Sequence, residues 1–169
     1  MTGLWRVKEA SAIAFFLATG APQIAAAQDA DAIAAPGETA LLTLHAEGAQ
    51  VYECAGADGG KLAWKFREPI AALMRDGKTL GRHYAGPTWE LADGSAVEAT
   101  IVARAPGAGA GDIPLLKLVI SVHRGAGALS EATTVQRLNT RGGALEGACG
   151  ANGATTAVAY SADYVFLKR

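Results

Sequence analysis

From Lys61 to Arg67 the chain reads KLAWKFR, which puts Leu62, Trp64 and Phe66 on one side and Lys61, Lys65 and Arg67 on the other. A period of two with one apolar and one charged side predicts a strand with a dry and a wet face. Further strand signals run over Leu41–His45, Gln50–Cys54, Thr88–Leu91, Ala132–Leu138 and Tyr160–Leu167. Another spans Val97–Arg104, where Val97, Ala99, Ile101 and Ala103 share a face. The longest apolar run, Ile113–Val122, is apolar on both faces and predicts a central strand covered on both sides. Asp58-Gly59, Gly86-Pro87 and Asp93-Gly94 supply turn chemistry between these segments. Only Pro69–Arg75, PIAALMR, predicts a helix, with proline at its first position and Asp76-Gly77 as its stop. About eight strands and at most one short helix predict an all-β fold, an antiparallel β-sandwich or barrel.

The N-terminus has a different pattern. Arg6 and Lys8 precede a mostly apolar run, Ala10–Ala21, and Ala25-Ala26-Ala27 makes a small-residue cleavage site before Gln28. This is the layout of a secretory signal peptide over residues 1–27, with Glu9 as its one awkward member. An N-terminal amphipathic helix kept in the fold is the competing reading. The apolar run, about 12 residues, is short of the roughly 20 that span a bilayer, so no membrane span is expected. Residues 28–38, rich in Ala, Asp and Pro, predict a flexible leader on which little packs, ahead of a single β-rich domain at 39–169.

An exported chain, periplasmic or extracellular, is where two cysteines pair, so Cys54 and Cys149 are expected to form a disulfide rather than a catalytic thiol. A formal net charge of −1, with no cluster of Lys and Arg, excludes nucleic acid as an expected partner.

Motifs of established chemistry are missing. GAGAG at Gly107 precedes a strand signal, so it reads as a flexible insertion rather than a phosphate loop. GAGALS at Gly125 fails likewise, and there is no GK[ST], GxSxG or HExxH. His45, His83 and His123 are too scattered to mark a metal pocket, and His123 reads as an exposed strand-end residue. Neither a metal nor a cofactor is expected.

Two polar blocks remain. In GRHYAGPTWELADGS, Gly81–Ser95, the glycines, proline and Asp93 read as turn chemistry and Trp89 as packed, while His83, Tyr84 and Glu90 would line a rim. In TVQRLNTRGG, Thr134–Gly143, Gln136, Arg137, Asn139, Thr140 and Arg141 crowd together. Arg137 would either clamp a ligand carboxylate or pair internally with Glu90, Asp93 or Asp163.

GAQVYEC, the Trp64-x-Phe66 pair, LGRHYAGPTWELADGS, TVQRLNTRGG, the late Cys149 and YSADYVF, in this order, resemble a family of exported bacterial and fungal proteins, the domain of unknown function numbered 3455. The resemblance covers about Gly48–Phe166 and implies a secreted single domain, with no activity or catalytic residue to carry over. The chain departs from that pattern at Leu115, where related chains carry a tryptophan nearby, which puts an aromatic platform there in doubt.

The leading expectation is an exported β-rich protein that binds a small or carbohydrate-like ligand at one rim, through His83, Tyr84, Trp89, Glu90, Arg137 and Asn139. The alternatives are a hydrolase or lyase with His83 as base and Glu90 as acid, and a structural envelope protein whose polar blocks pair with each other.

Overall fold

The structure is a computed structural model that describes residues 31–56 and 58–169. The expected signal peptide and the first part of the leader lie outside the described residues. Eight strands follow in chain order: β1 (Thr39–Gly56), β2 (Leu62–Arg75), β3 (Lys78–Tyr84), β4 (Thr88–Leu91), β5 (Ala96–Ala105), β6 (Leu115–Arg124), β7 (Thr134–Gly142) and β8 (Thr155–Lys168). Each pairs antiparallel with its neighbour, and β8 returns to β1, so the sheet closes into an up-and-down barrel rather than a sandwich. Among the described residues, no helix is long and apolar enough to cross a membrane.

The predicted alternation is what makes closure possible, because a period of two sends every second side chain inward. The interior is graded from end to end. Leu44, Leu73, Leu129, Val135 and Phe166, each with no exposed surface, fill the end near the β2–β3 and β6–β7 turns. Toward the other end the buried inward residues are Gln50, Tyr52, His83, Arg137, Tyr160 and Tyr164. Asp93 stitches the filled end shut: its Oδ1 accepts from Ser95 N at 2.9 Å and its Oδ2 from Ala128 N at 2.8 Å. The loop that carries Leu129 is thereby fastened to the β4–β5 hairpin.

Several expectations change. Leu41–His45 and Gln50–Cys54 are one 18-residue strand, β1. Gly48, which separates them in the sequence, sits where β1 crosses β2 so closely that a side chain would meet Ile70 O and Ala71. Pro69–Arg75 is not a helix but the second half of β2, in which Pro69–Met74 pair residue by residue with His45–Gln50 and Arg75 pairs with Lys78 of β3. Closure demands a partner for β1 from His45 onward, and that demand overrides the helix preference of Ala, Leu and Met. The proline is tolerated beside the register shift at Val51/Tyr52, where the ladder is already irregular. β3, which carried no clear strand signal, forms between β2 and β4.

Two dry faces are wetter than expected. Phe66 is 54% exposed at the start of β2, and on β6 the outward Val119 and also Val122 are exposed, so β6 is covered on its inner face only. The leader, in contrast, packs: Ile33 is buried, and its carbonyl accepts from Gln136 Nε2 at 2.6 Å. The GAGAG loop is also tied down, because Asp112 accepts from Gly109 N and Gly142 N.

Cys54, at the end of β1, is disulfide-bonded to Cys149 in the β7–β8 connection. The same connection is laced to β1 and β2 through Cys149 N to Leu62 O (3.2 Å), Trp64 N to Gly147 O (3.1 Å) and Cys54 N to Ala154 O (2.8 Å). The bond closes a loop 95 residues apart in sequence. Replacing both cysteines by alanine is therefore expected to lower the unfolding free energy by about 2–5 kcal/mol in urea titrations. A double variant as stable as the parent refutes a stabilising role for the bridge.

Candidate functional site

Where the filled part of the barrel ends, a cavity of about 400 Å³ opens between the β3–β4 turn, the end of β5, the start of β6 and the first half of β2. Its wall holds Trp89, His83, Arg137, Gln50, Tyr52 and Tyr164 among aliphatic residues that include Ile101, Leu116 and Leu118.

The aromatic side of this wall follows from register. His83 on β3 stands directly opposite Trp89 on β4, so both side chains project inward from one level of the sheet. Their rings stack with centroids 4.5 Å apart and 12° between planes. Tyr164 meets Trp89 in a T-shaped contact with ring centroids 5.2 Å apart, and its centroid lies 4.9 Å from that of His83. The His83 Nδ1–H donates to Thr88 O at 2.8 Å, which leaves Nε2 as an acceptor. Burial, with Arg137 nearby, lowers the His83 pKa to about 3, and the ring is neutral. Burial also raises the phenols of Tyr52 and Tyr164 above their ordinary value.

The polar side is made of donors. Arg137 Nε and Nη2 both donate to Pro114 O, at 3.0 and 2.8 Å. Trp89 Nε1 and Gln50 Nε2 are buried without a partner inside hydrogen-bond distance among the described residues, and the neighbour of the Gln50 amide is the Tyr160 phenol. Tyr52 donates to Gly143 O at 2.6 Å.

Of the six residues singled out in the sequence, the structure brings three to the cavity: His83, Trp89 and Arg137. Tyr84 and Glu90 lie on the outer face, because alternation turns them away from His83 and Trp89. There Glu90 accepts from Tyr84 Oη at 2.7 Å and from Arg82 at 3.1 Å, and these donors hold its carboxyl below the usual range. Base and acid thus sit on opposite sides of the sheet, and the pairing of His83 with Glu90 does not form. Asn139 is exposed, with φ of 51° at the β7 irregularity, and donates to Asp163 Oδ2 at 2.8 Å. Arg137 pairs with none of the three carboxylates expected for it; a backbone carbonyl takes their place.

The sequence reading missed Gln50, Tyr52 and Tyr164. Gln50, Tyr52 and Cys54 alternate in GAQVYEC, and Tyr160, Ala162, Tyr164 and Phe166 alternate in AYSADYVF. Polar or phenolic residues at inward positions of long strands were the available signal.

The fold and site define an eight-stranded up-and-down β-barrel with an internal, donor-rich cavity at one end. The chain belongs to the family described as "Protein of unknown function (DUF3455)", whose model matches residues 34–168. No curated protein and no solved structure matches it.

A buried neutral histidine links stability to pH. The unfolded chain takes up its proton near pH 6.5 and the folded protein only near 3, so stability falls as pH drops through that window. Between pH 7 and 5, above the range of the carboxyls of Glu90 and Asp93, which are both held low, the loss from this source is expected to reach about 2 kcal/mol. Urea unfolding across this range checks it: His83→Gln should flatten the dependence, and an unchanged slope in that variant refutes the assignment.

Proposed function

We propose that this protein binds a small molecule with a flat apolar portion inside the open end of its barrel. The observation that carries the reading is a cavity of about 400 Å³ whose wall combines the Trp89–His83 stack with two buried, unpartnered donors, Trp89 Nε1 and Gln50 Nε2. Its size falls within the range of small-molecule sites, and an eight-stranded barrel is wide enough to hold one such ligand. A concave pit suits a small molecule, or a single sugar-sized unit, better than a polymer lying along a groove. Within this reading His83 and Trp89 supply the platform, Arg137 and Gln50 supply polar contacts, and Tyr84, Glu90 and Asn139 brace the outer face. The signal-peptide layout of residues 1–27 and the Cys54–Cys149 bridge support a place outside the cytoplasm for one domain at 39–169.

The uncharged fluorophore N-phenyl-1-naphthylamine tests the reading directly. It should bind saturably at one site, with the emission gain of an apolar surround. Ile101→Trp, which fills the cavity from β5, should weaken binding at least about tenfold while the unfolding midpoint stays close to that of the parent. Absence of saturable binding, or binding indifferent to Ile101→Trp, refutes a ligand site in the barrel.

A further inference from the structure

The charge of the cavity wall is one-sided. Arg67, Arg104 and Arg137 contribute to it, and no aspartate or glutamate does. Arg67 and Arg104 are exposed, and Arg67 is already paired with Glu68 at 2.6 Å. Arg137 differs from both, because it is only 9% exposed and points inward from the middle of β7.

A guanidinium taken out of water needs a compensating charge, and a buried arginine with a purely structural role ordinarily finds a carboxylate. Among the described residues, none lies within ion-pair distance of Arg137. The three nearest in expectation are engaged elsewhere: Glu90 by Arg82 and Tyr84, Asp93 by Ser95 and Ala128, and Asp163 by Asn139 and His45. The Pro114 carbonyl offers a dipole in place of a charge.

The way Pro114 is held is informative. Its oxygen occupies the edge made by Nε and Nη2, one of the two forks of a planar guanidinium. The other fork, Nη1 with the second Nη2 proton, has the spacing of a carboxylate's two oxygens, and the Tyr164 phenol stands beside the guanidinium without taking up both of its protons. Trp89 Nε1 and Gln50 Nε2, the unpartnered buried groups of the same wall, are donors as well. A wall with a buried cation, free donors and no acid fits an anion with acceptor oxygens. The Trp89–His83 stack and the aliphatic residues beside it fit a flat apolar body.

Resting on the binding function proposed above, we infer that the ligand is an apolar carboxylic acid, its carboxylate on the second fork of Arg137 and its flat part against Trp89 and His83. The exposed Arg104 at the cavity would draw such an anion inward.

Three naphthalene compounds of one shape, 2-naphthoate, 2-naphthamide and 2-naphthylmethylammonium, test the inference by displacing N-phenyl-1-naphthylamine. The acid should bind at least about tenfold more tightly than the amide, with the ammonium weakest. In Arg137→Gln that still binds the uncharged fluorophore, acid and amide should converge; in Arg104→Gln the preference should persist. The ¹⁵Nε resonance of Arg137 in the parent protein gives the same assignment without a substitution, and naphthoate should shift it. Equal affinity of acid and amide, a preference that survives loss of Arg137, or an unmoved Arg137 resonance overturns the inference and leaves a neutral binding site standing. Failure of the fluorophore and all three compounds to bind overturns the binding reading with it.

Discussion

The return of β8 to β1 is the constraint on which everything else in this molecule rests. Their ladder runs from Thr39 opposite Lys168 to Glu53 opposite Thr155 and joins the two ends of the sheet. Without it β1 and β8 would be exposed edges, and the inward residues of all eight strands would line an open, wet surface. Closure also explains the local irregularities. A sheet that curls onto itself must bend its long strands, and register shifts in β1, β2, β5, β7 and their partners supply the bends.

An enclosed interior then has to be filled or used. One end is filled by leucines, Val135 and Phe166, and Asp93 holds the loop that plugs it. The other end carries phenols, an indole, an imidazole, an amide and a guanidinium, several of which pack on one another along the wall without filling the width of the barrel, and a cavity is left. The block from Gly81 to Ser95 serves both ends, because the β3–β4 turn lies at the open end and the β4–β5 turn at the filled one. Its ADGS part is stability chemistry, whereas His83 and Trp89 belong to the cavity. The disulfide fastens the long β7–β8 connection to β1 and β2 near the cavity.

Placement of charge separates the two faces of the barrel. Outside, Arg82, Tyr84, Glu90, Arg124 and Glu98 pair with one another across β3 to β6, in solvent, where such pairs contribute little to stability. Inside, Arg137 stands with a carbonyl as its partner. A single step along a strand decides which of these environments a residue enters, and so Tyr84 and Glu90 differ in role from their neighbours His83 and Trp89.

Much of the fold was legible in the chain. Period-two runs, turn dipeptides, the cysteine pair and the two polar blocks sufficed for an all-β antiparallel fold, the disulfide partners and three residues that line the cavity, because strand alternation and turn geometry are local properties of the backbone. Closure was not legible, since it depends on β1 meeting a strand more than a hundred residues away, and neither was the strand fate of Pro69–Arg75, a helix-favouring sequence that pairs as strand because β1 needs it. The inward or outward sense of each strand, which sends His83 and Arg137 to one cavity and Glu90 to the surface, exists only once the sheet has an inside.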